Sequence, residues 1–83
     1  MSPSPRPVVL FVEDEVLLRL VIADELREAG FEVIEAGEGV KALEVLRSDS
    51  AVDLLFTDIR MPGGMSGWDV AEQARTLRPD LPV

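Results

Sequence analysis

The stretch that most constrains the fold is "VVLFV", Val8–Val12, five consecutive apolar residues, three of them β-branched. A run without polar alternation has no side to give to water, and five residues are too few for a buried helix. It reads as a parallel strand covered on both faces. Such a strand needs helices above and below it, which points to a layered α/β architecture.

The following sequence supplies those helices. Over residues 15 to 29, Leu18, Val21, Ile22, Leu26 and Ala29 recur at three- and four-residue steps and are expected to form the core face of a helix ended by Gly30. "FEVIE", residues 31 to 35, alternates strictly, as suits a strand with one wetter face or an edge position. After the Gly37-Glu38-Gly39 turn, Val40, Leu43 and Leu46 mark a second, shorter helix, and "VDLLFT", residues 52 to 57, reads as a third strand. Ser66 with Asp69 three residues on forms a capping-box pair, and Val70, Ala74 and Leu77 carry a third helix. Trp68, the only tryptophan, is expected to be a packing residue in its first turn. The final "LPV" is expected to begin a fourth strand. Strands and helices thus alternate, and right-handed crossovers would place the strands parallel in one sheet.

Composition removes several classes of function. Eighty-three residues suit one domain, which at this length buries roughly 60–65% of its unfolded surface. Without cysteine there is no disulfide framework, thiolate metal site or thiol nucleophile, and without histidine the commonest general base is missing. Sixteen acidic against eight basic residues leave a net charge of −8, which disfavours nucleic acid and favours a cation or a basic partner. No apolar run approaches the roughly 20 residues needed to cross a bilayer. "MSPSPRP", residues 1–7, has three prolines and no apolar core of its own, so it reads as a flexible arm rather than a leader, with the folded domain over 8–83 in the cytoplasm.

In parallel α/β sheets, ligands bind beyond the carboxyl ends of the strands. The first strand runs into Glu13 and Asp14, and the third into Asp58 followed by Met-Pro-Gly-Gly. If the two strands are neighbours, their ends lie about 4.8 Å apart and three carboxylates share one crevice. Like charges so close raise one another's pKa unless a cation offsets them, and hard oxygen donors with open positions suit Mg²⁺. The alternative is ordinary: Glu13, Asp14 and Glu15 precede a helix whose N-terminus favours negative charge. Asp58 resists that explanation, because a proline-glycine loop rather than a helix follows it and Ser66 already offers a cap.

"VLFVEDE", "LLFTDIRMP" and a glycine before the next helix together resemble the receiver domain of two-component response regulators, from about Val8 to Val83. The resemblance implies a flavodoxin-like (CheY-like) three-layer α/β fold with strand order 2-1-3-4-5, here β1-α1-β2-α2-β3-α3 and the start of β4. "TDIRMPGGMSGWDVA" is most similar to receivers attached to hybrid sensor kinases. By resemblance, Asp58 is the phosphoacceptor, accepting a phosphoryl group from a histidine kinase or phosphotransfer protein, in a signalling module rather than a turnover enzyme. Mg²⁺ would be held by Glu13, Asp14, Asp58 and the backbone carbonyl of Arg60, with Met61 and Pro62 shaping the loop. Glu13 stands where aspartate is commoner, and "MPGGMSG" is one residue longer than the usual pattern.

A receiver usually continues through a strand ending in serine or threonine and another ending in lysine-proline, which this sequence does not contain. The one lysine, Lys41, is expected on a solvated helix face, and Thr57 is expected to point away from Asp58. The third strand would have a bare edge, so self-association through exposed or swapped segments is expected. This frames a second possibility, an unphosphorylated receiver fragment serving as an assembly module. A phosphatase of the haloacid dehalogenase type, which needs a second aspartate at position 60, is disfavoured by Arg60.

Overall fold

In the computed structural model, residues 6–57 and 66–83 are described. The first five residues of the expected arm, and Asp58, Arg60, Met61 and Pro62 with the loop around them, lie outside these. Elements follow in the order β1 (Val8–Val12), α1 (Val16–Glu28), β2 (Glu32–Ala36), α2 (Gly39–Arg47), β3 (Leu54–Thr57) and α3 (Gly67–Leu77). The strands form one parallel sheet in the order β2-β1-β3, with Val12 opposite Ala36 on one side and Thr57 on the other. The expected neighbours, β1 and β3, are therefore paired.

β1 is buried along its whole length, as an unbroken apolar run requires. Successive residues feed two separate cores. Leu10 and Val12 join Leu55, Leu43, Leu46, Val70 and Ala74 beneath α2 and α3, while Val9 and Phe11 join Val33 and Ala23 beneath α1. The result is three layers, with one helix on one face of the sheet and two on the other.

The element ends follow from local chemistry. Gly30, at φ +103°, takes the left-handed position after α1, and its N–H donates to the Arg27 carbonyl while the Phe31 N–H reaches back to Leu26. Ser66 and Asp69 form the reciprocal capping box that opens α3. At the head of β3, Asp53 holds Val8 twice: the Asp53 N–H donates to the Val8 carbonyl at 2.8 Å, and the Val8 N–H donates to Asp53 Oδ2 at 2.7 Å. The Pro7 carbonyl accepts from the Glu32 N–H at 2.9 Å, so the last residue of the expected arm is tied to the start of β2.

Three packing expectations need correction. On α1 the residues turned inward are Ala23, buried, with Arg19, Ile22 and Leu26 half-buried, whereas Leu18, Val21 and Ala29 are exposed. Apolar residues occur on more than one side of this helix, so their spacing alone does not choose a face. Small Ala23 is the residue of α1 that is fully buried, in one cluster with Val9 and Phe11 of β1. On α2 and α3, Val40 and Leu77 are exposed where core positions were expected. Trp68 is 67% exposed and is not a core residue: it lies on the outer side of a first turn whose Gly67 and Val70 are the buried positions. The final residues do not form a regular strand, yet the Leu55 N–H donates to the Pro82 carbonyl at 2.9 Å, which lays this segment along the free edge of β3.

Candidate functional site at the carboxyl end of the sheet

Glu13 directly follows the last residue of β1 and extends its ladder by one bond, its N–H donating to the Ala36 carbonyl at 3.0 Å. It is the one buried charged residue among those described, at 4% exposure. Its Oε2 accepts the Glu15 N–H at 3.0 Å, which folds the Glu13–Glu15 segment into a tight turn before α1. Asp14, in the middle of that turn, is half-buried. Glu15 occupies the N-cap position of α1 without a side-chain cap bond, so the helix-capping alternative fails for Glu15 itself. The carboxylate that serves the helix entrance is that of Glu13.

The turn is tied to the neighbouring strand by a residue that sequence reading missed. Arg19, one turn into α1, donates from Nη1 to the Glu13 carbonyl at 2.9 Å and pairs through Nε with Glu35 Oε1 on β2 at 3.4 Å. Glu35 in turn receives Arg27 Nη2 at 2.9 Å, and Arg27 also approaches the Val33 carbonyl and Asp24. Gly37, just beyond β2, lies beside this guanidinium; a Cβ placed there would stand 2.9 Å from Arg19 Nη1. The available signal was a single charged residue, Arg19, within the apolar first half of α1, residues 16 to 22.

Of the sequence-designated site residues, Glu13 and Asp14 are thus placed at the carboxyl end of β1, while Asp58 and Arg60 lie outside the described residues. Among the described residues no three acidic side chains gather as a metal-binding cluster. Val12 and Thr57 are a matched pair, so Glu13 and Asp58 each follow one member of that pair in the sequence. Lys41 is exposed on α2, as expected. No helix among the described residues is long and apolar enough to cross a membrane.

Comparison with known proteins decides the family. The family model described as "Response regulator receiver domain" matches residues 9–83. The chain belongs to the receiver domain family. As a receiver, it is a signalling module of two-component systems with the CheY-like fold. It is 37% identical over 76 residues to the sensor histidine kinase RcsC of Salmonella typhimurium, a match covering 92% of this chain and 8% of that protein. The solved receiver domain of the hybrid histidine kinase CckA superposes with a TM-score of 0.83 at 40% identity, covering 92% of this chain and 70% of the other. The response regulator TrrA of Thermotoga maritima, solved in complex with Mg²⁺-BeF, gives a TM-score of 0.83 at 36% identity, over 90% of this receiver and 64% of that chain. The receiver therefore spans less than a tenth of the length of the kinase relative.

Proposed function

We propose that this receiver, over residues 8–83 and preceded by an arm at 1–7, accepts a phosphoryl group on Asp58 from a histidine kinase or phosphotransfer protein in the cytoplasm. The observation that carries this reading is the buried Glu13 and its neighbour Asp14 at the end of β1, beside the paired strand whose last described residue immediately precedes Asp58. Glu13 and its acidic neighbour Asp14 offer hard oxygen donors at the end of β1, the ligand type that suits Mg²⁺. Glu13, Asp14, Asp58 and the Arg60 carbonyl fit Mg²⁺ in chemistry, and TrrA, of the same family, has been solved with Mg²⁺-BeF. The ion would supply charge neutralisation for the phosphoryl oxygens.

The chain's own part is nucleophilic. A carboxylate oxygen of Asp58 forms the new O–P bond as the P–N bond of a phosphohistidine, or the P–O bond of a small phosphodonor, breaks and its electron pair leaves with the donor. Intact-mass spectrometry after incubation with Mg²⁺ and acetyl phosphate tests this reading. One added phosphoryl group in the parent, absent in Asp58→Asn and absent without Mg²⁺, is the expected result; an unmodified parent sinks it.

A second reading, assembly by self-association, is favoured by the open apolar side of the sheet. Leu17 on α1 is 73% exposed and Phe56 on β3 43% exposed. Light scattering at micromolar concentration is expected to show dimers on this reading, and a monomeric mass removes it.

A further inference from the structure

We infer that Arg19 is a positioning residue of the acidic site, and that Gly37 is the seat its guanidinium requires. The inference rests on the metal-binding reading above for its consequence, and on the described geometry for its substance. Glu13 and Asp14 lie in a turn after β1, where the sheet ladder ends and α1 has not yet begun. Besides the ladder bond from the Glu13 N–H to the Ala36 carbonyl, two further described contacts bear on that turn. One is internal, from the Glu15 N–H to the Glu13 carboxylate. The other is the Arg19 fork, which grips the Glu13 carbonyl with one nitrogen and Glu35 on β2 with another. Planar guanidinium can serve two acceptors in fixed directions at once, which a single ammonium cannot. Arg19 therefore fixes the turn against β2 and so fixes where the Glu13 and Asp14 carboxylates stand.

Gly37 makes the arrangement testable without dismantling the fold. It is not at positive φ, so alanine strains no backbone there. The atom that a Cβ would meet at 2.9 Å is Arg19 Nη1, the far end of a long side chain. Alanine at 37 displaces the guanidinium and leaves the strands alone. Arg19 and Gly37 thus act as one device, and their substitutions should not add.

The experiment compares the parent with Arg19→Met, Arg19→Lys, Gly37→Ala and the Arg19→Met/Gly37→Ala double variant. Amide exchange at Glu15 is measured in metal-free protein, and Mg²⁺ is titrated by amide chemical shifts. Arg19→Met and Gly37→Ala should each speed exchange at Glu15 and weaken Mg²⁺ binding by roughly tenfold, the scale typical when an outer partner of a metal ligand is removed. The urea midpoint should hold, the double variant should be no weaker than Arg19→Met, and Arg19→Lys should recover part of the loss. Unchanged exchange and affinity in Arg19→Met, or additive losses in the double variant, overturn the inference. Should Arg19→Met fail to fold, Gly37→Ala decides by the same two readings. A parent that shows no Mg²⁺ response overturns the metal-binding reading instead, and exchange at Glu15 alone then decides the role of Arg19.

Discussion

The two faces of the sheet are finished to different degrees. Beneath α2 and α3, Leu10, Val12, Leu55 and Val70 are fully buried. The rim on that side is held by Arg78, which donates from Nε to the Leu46 carbonyl at 3.1 Å and from Nη2 to the Ser48 carbonyl at 2.8 Å, satisfying the end of α2 from the end of α3. Beneath α1 the core is narrower, and Val16, Leu17, Leu18, Leu20 and Val21 all face outward. Phe56 touches Phe11 at a ring-centroid distance of 5.0 Å yet remains 43% exposed. The contrast teaches that burial is divided unevenly: the two-helix face holds the larger core, and the one-helix face leaves more apolar surface exposed.

The strongest way to break the contrast is to remove volume from both faces. Leu10→Ala is expected to cost about 3 kcal/mol or more, the range for deleting a fully buried leucine, and to leave little of the marginal stability of a domain this small. Phe56→Ala, on the open face, should cost well under half of that. Urea midpoints at constant m-value check both, and equal losses would erase the distinction. Next in size, Arg78→Ala should cost about 1–2 kcal/mol, because it leaves two carbonyls at the end of α2 without this donor. Ser66→Ala removes the N-cap of α3 and should cost about 1 kcal/mol by the same assay. Smallest of all, Leu17→Gln should shift the midpoint by less than about 0.5 kcal/mol. A larger loss would mean that the exposed side of α1 is covered in solution.

Features set by neighbours in the sequence were the readable ones. The buried run of β1, the glycine stop after α1 and the Ser66–Asp69 box each depend on residues within a few positions, and all three stand where the pattern put them. Helix faces were less legible. On α1 the choice between Leu18–Val21 and Ile22–Ala23 depends on how closely the helix approaches β1, which spacing does not encode. The site divides the same way. An acidic pair after an apolar strand pointed to Glu13 and Asp14, but nothing local separated the buried Glu13 from the exposed Glu15. Arg19, Glu35 and Gly37 come together only after a helix has been crossed and a second strand laid down, so no short motif announces them.

The bond from the Leu55 N–H to the Pro82 carbonyl has a use of its own. Proline has no N–H to return to β3, so the ladder at that residue is one-sided and its grip on the edge is slight. Leu55 itself is fully buried and otherwise anchored within the sheet. Its amide proton is thus a natural gauge: its exchange rate reads how often the final residues lift from the edge, separately from the opening of the sheet beneath them. A single resonance would report whether the border of the sheet is closed or ready to receive another strand.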